Sequence, residues 1–168
     1  MAETNLTKYT AQEKLNKMDI DLIDVTLTTT AEAHADNEVI SQSIEIPNAV
    51  AVNGGSAIIQ SIMLLDEDYE APVVDLIFSS ADTAIGSATS EVINISDANA
   101  RNLQGFVTMS NYTDLAASSM AIKTNIGLVV KAASGTTSIY VHTVNRSGGN
   151  YTPAAVADLK LRIGIIKD

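Results

Sequence analysis

From Ile20 onward the chain alternates: Ile23, Val25 and Leu27 take every second place, with Asp24, Thr26 and Thr28 beside them. Successive side chains of a strand point to opposite faces, so this pattern, rich in β-branched residues, predicts a half-buried strand. The polar stretch 31–37 predicts a loop, and Val39–Ile46 a second strand that Pro47 ends. Asn53-Gly54-Gly55 predicts a turn. After it, residues 56–65 predict a long apolar strand and 72–79 its hairpin neighbour, the two joined through Asp66-Glu67-Asp68-Tyr69-Glu70. Further strands are predicted near 84–95, 105–109, 122–133, 138–145 and 159–166, with Gly135 and Ser147-Gly148-Gly149 punctuating the last three. Two short helical pieces interrupt the series. Ser96 and Asp97 can cap a turn through 98–104 that Gly105 stops, and 113–120, with Asp114 near its start, predicts another.

The opening follows a different period. Thr10-Ala11-Gln12-Glu13 fits a capping box, in which the Thr10 hydroxyl and the Glu13 carboxylate satisfy each other's end of the first turn. Leu15 and Met18 then share one helix face, and Lys14 and Lys17 another. Residues 10 to about 19 therefore predict a short helix, marginal by itself, or a segment that orders on docking. The expected organisation is an N-terminal arm, 1–19, and one β-sandwich domain, 20–168. Many short strands with regular turn signals, and no long helical crossovers of the kind parallel sheets need, predict an all-β fold. A single-domain β-sandwich or jelly roll with a short N-terminal helical arm is the expected architecture.

Composition narrows the function. A chain of 168 residues has the usual size of one domain, and its 46% hydrophobic content is carried by Ala, Val, Ile and Leu. There is no Trp and only 4% aromatic residues, which leaves few stacking platforms for bases or sugars. The net charge of −10 is unevenly spread: residues 1–17 sum to +1, 18–122 to −15, and 123–168 to +4. An acidic middle repels polyanions, so nucleic acid is not an expected partner. The longest uncharged run, 46–65, is broken by Pro47, Asn53, Gly54 and Gly55, and no basic segment followed by an apolar one opens the chain. A soluble protein without membrane contact is expected.

Candidate chemistry is sparse. No Cys is present, which excludes thiolate nucleophiles, disulfides and Cys-based metal sites. There is no G-x-S-x-G elbow, no phosphate-cradling glycine motif and no H-E-x-x-H. His34 and His142 are the only imidazoles, and each reads more simply as a solvated or hydrogen-bonded side chain than as a base. No enzyme activity and no cofactor are expected. Asp66, Glu67, Asp68, Glu70 and Asp75 form the one concentration of hard-cation ligands. Of these, Asp66, Asp68 and Glu70 are the metal candidates, and a calcium-dependent binding module is the reading they would support. The EF-hand spacing is missing, and a charged hairpin tip that blunts edge pairing accounts for the same residues.

Several stretches taken in order resemble a known family. They are Ser56-Ala57-Ile58-Ile59-Gln60-Ser61-Ile62, the acidic turn leading to Val73-Val74-Asp75-Leu76-Ile77-Phe78, and Ile95-Ser96-Asp97-Ala98-Asn99-Ala100. Ile126-Gly127-Leu128-Val129-Val130-Lys131-Ala132 and the final Leu159 to Asp168 complete the series. Over roughly residues 20–168 the succession resembles small virion structural proteins of tailed bacteriophages, encoded beside the major capsid protein. The resemblance implies a capsid decoration (cement) protein. It would bind the major capsid protein on the virion exterior as a homotrimer and be made in the cytoplasm of the bacterial host. A tail, neck or fibre component is the alternative. The arm, with its basic helical face, supplies the expected contact residues: Lys8, Tyr9, Lys14, Leu15, Lys17 and Met18. Such an arm gains area on docking at the cost of its ordering entropy.

Overall fold

The computed structural model describes residues 19–167, and the arm with its six expected contact residues lies outside that range. The strands are β1 (Asp19–Leu27), β2 (Val39–Ile46), β3 (Ser56–Asp66), β4 (Val74–Ser79), β5 (Leu103–Met109), β6 (Thr113–Asp114), β7 (Ser119–Lys131), β8 (Ile139–Asn145) and β9 (Leu159–Lys167). They form two antiparallel sheets, ordered β1-β9-β3-β7-β6 and β2-β8-β4-β5. Apart from the hairpin β4–β5 and the two-residue β6, each strand is followed by one in the other sheet. This is the strand order of a jelly roll, the two-sheet architecture in which paired Greek keys wrap one core. The expected all-β sandwich is the observed fold.

The core lies between the sheets. Ile23, Val25 and Leu27 of β1 point inward, as their alternation predicts. They meet Ile59, Ile62 and Leu64 of β3, Leu76 and Phe78 of β4, Ile139 and Val141 of β8, and Leu161, Ile163 and Ile165 of β9. Each such aliphatic side chain taken from water contributes about 2 kcal/mol before ordering costs, so this layer drives folding.

Three local expectations are corrected. The segments 56–65 and 72–79 are strands but not neighbours: β3 pairs with β7 and β9, and β4 with β5 and β8. The acidic link between them therefore crosses from sheet to sheet and is no hairpin tip. Residues 84–95 form no strand. They run irregularly over the outside of the four-stranded sheet, where Ile85, Ile93 and Ile95 pack with Val39, Ile77 and Val144. Residues 113–120 form no helix: Thr113 pairs with Met120 and Asp114 with Ser119 in a tight hairpin, and the Asp114 carboxylate accepts from Ala116 N at 2.6 Å. The ladder to β7 supplies backbone partners that one or two isolated helical turns could not match. The other short helix exists as α1 (Asp97–Ala100), capped by Ser96, whose side chain accepts from Asn99 N. It ends sooner than expected because Leu103 already pairs with Ser79.

Candidate functional site

The acidic crossover is the first place to look for chemistry. Asp66 ends β3 fully buried, accepting from Ala71 N at 2.6 Å and Ser119 Oγ at 3.1 Å. Asp68 accepts from Ala154 N at 2.8 Å, and Glu70 from Thr152 N at 3.1 Å. Asp158 accepts from Ala155 N, and its carbonyl takes the Glu67 N–H at 3.0 Å. The carboxylates thus fasten the 67–73 crossover to the β8–β9 connection by holding backbone N–H groups, one end of the sandwich being closed by the contact. Charge-assisted bonds of this kind are among the stronger ones a loop can make.

Asp75, the fifth member of the expected cluster, lies apart on β4, bonded to Thr108 Oγ1 at 2.6 Å and paired with Arg146 Nε at 2.8 Å. Asp66 and Asp68 do come together: burial, and then the neighbouring Asp66 carboxyl, hold Asp68 above the ordinary carboxylate range. Among the described residues Asp68 Oδ1 and the hydroxyl of buried Tyr151 have no hydrogen-bond partner. Among the described residues no three acidic or imidazole groups are arranged to hold a metal ion. What the crossover does with Asp66, Asp68 and Glu70 is bind backbone.

The two histidines are both fully buried. His142 Nδ1 accepts from Ser43 N at 3.0 Å, which places the proton on Nε2, 2.9 Å from Ser79 Oγ. Ser79 Oγ in turn donates to the Ala81 carbonyl at 2.8 Å. Burial pushes His142 down to about 4, so it is neutral near pH 7 and links β2, β4 and the 80–96 segment. His34 sits among Thr30 and Ser90 hydroxyls and stacks on Tyr151, ring centroids 6.4 Å apart. Its surroundings are interior, whereas its sequence context reads as a polar loop. Among the described residues the partners of both imidazoles are hydroxyl and backbone groups.

A second candidate is a surface rather than a cleft. On the outer face of the five-stranded sheet the register aligns Ile20, Ile166, Ile58 and Val129 in one row across β1, β9, β3 and β7. The next row holds Leu22, Gly164 and Ser61, and the one after it Asp24, Arg162, Met63 and Ile122. A Cβ at Gly164 would collide with Ser61 Oγ, so a larger residue there would make the Ser61 hydroxyl turn away. Ile20 is 70% exposed, Leu22 64%, Val129 63% and Ile122 57%. A shallow groove of about 290 Å³ runs beside them, lined by Thr26, Met63, Leu65, Lys160 and Arg162 among others. The pattern was visible in the sequence as apolar residues at both parities of β3, with Ile58, Met63 and Leu65 on one face and Ile59, Ile62 and Leu64 on the other.

No family model matches the chain, and no curated protein does. Among solved structures it is similar to one of Desmodium yellow mottle tymovirus, at 14% identity over 90% of this chain and 87% of that one, with a TM-score of 0.29. It is also similar to a structure of infectious bursal disease virus, Gx strain, at 12% identity over 89% of this chain and 38% of that one, with a TM-score of 0.22. At such scores neither likeness bears on function.

Proposed function

We propose that this chain is a virion structural protein that decorates and stabilises the outer surface of a tailed-phage capsid by binding the major capsid protein as a homo-oligomer. The observation that carries the reading is where the molecule places its unusual residues. Asp66, Asp68 and Glu70 are spent on holding the crossover that closes one end of the sandwich, while five large exposed apolar side chains, Ile20, Leu22, Ile58, Ile122 and Val129, lie together on one sheet face. A rigid body with a sticky face suits assembly, since exposed apolar patches mark interaction surfaces. The resemblance of residues 20–168 to small phage virion proteins supplies the kind of assembly. Fold alone would not, because jelly rolls also serve lectins and cupins.

The arm is assigned the shell contact, through Lys8, Tyr9, Lys14, Leu15, Lys17 and Met18. Many copies on one lattice would add weak contacts into firm attachment. The deciding experiment is the copy number of the protein in purified virions, by quantitative mass spectrometry against the major capsid protein. Abundance comparable to the shell protein is expected. A few copies per particle would move the protein to the tail or neck, and absence would end the virion reading. Deleting residues 1–19 should leave a folded body that binds shells poorly, and undiminished binding by the truncation would remove the arm's role. The calcium reading is met by melting with and without EDTA, where an unchanged midpoint is expected.

A further inference from the structure

The geometry points to a second copy of this chain as the occupant of the bare outer face of the five-stranded sheet, packed against the same face by a two-fold axis near Ile58 and Ile166. Three observations lead there. The first is size. Ile20, Leu22, Ile58, Ile122 and Val129 together present apolar surface on the order of 500 Å², at the upper end of what a monomer leaves in one patch. With Ile166, Met63, Leu65 and Met120 between them, the face approaches the roughly 800 Å² that each partner contributes to a standard interface.

The second is charge. The chain carries −10 overall, so two copies repel through most orientations. The outward positions of this face instead hold Lys131, Lys160 and Arg162 against Asp24. Arg162 is paired with Asp24 at 2.6 Å, and Lys160 lies 3.8 Å from Glu67. With Glu67 and Asp24 offsetting Lys160 and Arg162, the face is close to neutral and slightly basic through Lys131, so face-to-face contact brings little like charge together.

The third is the lack of another match. The remaining large exposed apolar residues among those described are separate: Val52, Tyr69, Val92, Leu115 and Val156 stand in different loops, and Phe106 on β5. On a second copy the aliphatic rows therefore find one surface of comparable extent, which is themselves. A self-complementary patch closes as an isologous pair. Two sheets packed this way lie about 10 Å apart with their strands roughly aligned, as within a sandwich. The arrangement is independent of the virion reading.

Sedimentation velocity of the full chain from low to high micromolar concentration tests it. The wild type should form a dimer. Ile58→Lys and Ile20→Lys should each weaken the dimer at least about tenfold, whereas Val92→Lys, off the face, should leave it unchanged. Ile20 is so exposed that its variant folds even where Ile58→Lys does not, and thermal melting of each verifies this. A monomer at every concentration, a trimer, or a dimer indifferent to both lysines would overturn the proposal. So would dimerisation seen only after residues 1–18 are deleted, since the arm would then be the occupant.

Discussion

Outside the four-stranded sheet, Ile77, His142 and Val144 are shut away beneath the 80–96 segment; outside the five-stranded sheet, Ile20, Leu22 and Val129 meet solvent. Both sheets bury one face in the common core, and both carry apolar residues on the other. What differs is the cover. Ile85, Ile93 and Ile95 bring their own apolar surface to the first sheet, and Asn102 and Ser43 bond to Thr83 to hold the segment down. The second sheet receives no such loop from residues 19–167. A covered face adds to the stability of the monomer, and a bare one stores the same kind of free energy for association.

Matched substitutions give the largest contrast. Ile77→Asp places a carboxylate under the covering segment and should cost about 4 kcal/mol in urea unfolding. Val129→Asp, on the bare face, should cost no more than about 0.5 kcal/mol at concentrations where the chain is monomeric. Equal losses would mean that the bare face is covered as well.

Acid should act next, and on the covered face. The folded state holds His142 at about 4 against the ordinary 6.5, so between those values the unfolded chain binds more protons. Stability is then complete above pH 6.5 and declines as pH falls toward 4, by up to about 3 kcal/mol from this group. His142→Gln should be less stable at pH 7 yet show a shallower decline across that window. An undiminished slope would assign the acid sensitivity to other groups.

Truncating the cover itself, Ile85→Ala, should cost about 3 kcal/mol by opening a cavity over Val39 and Ile77. It should leave self-association through the other sheet unaltered. The smallest effect concerns the crossover that ties the sheets together. Asp68 is held above its ordinary range by burial and by Asp66, so its stability contribution falls as pH rises through the folded value. Asp68→Asn removes that charge and supplies a donor facing Asp66. Melting should show a gain of at most about 1 kcal/mol near neutral pH, shrinking as pH falls.

Much of the fold was legible in the sequence. Val39–Ile46 has the bounds its pattern implied, and β1, β3, β8 and β9 fall within a residue or two of theirs, because period-two burial is written directly into strand residues. The 84–95 stretch misled for the same reason. Ala84, Ile85, Val92, Ile93 and Ile95 are apolar and β-branched in part, yet Ile85, Ile93 and Ile95 are covered by lying on a sheet and not by joining one, and Ala84 and Val92 stay exposed. The acidic crossover was legible as a cluster and illegible as a clamp, since its partners Ala154, Thr152 and Ser119 are far away in the chain. Tyr151 and His34, stacked together in the interior, gave no sign of each other in sequence.

The sequence by itself determined that the chain would be β, where most strands begin and end, and which parity of β1 would face inward; these depend on neighbours two residues away. Pairing depends on neighbours a hundred residues away. Only the tertiary structure decided that β3 lies between β7 and β9, and thus that Ile20, Ile166, Ile58 and Val129 form one row. It also decided which of two apolar outer faces a loop would cover. An exposed isoleucine and a buried one have the same local pattern, and what separates them is whether another part of the chain has reached them first.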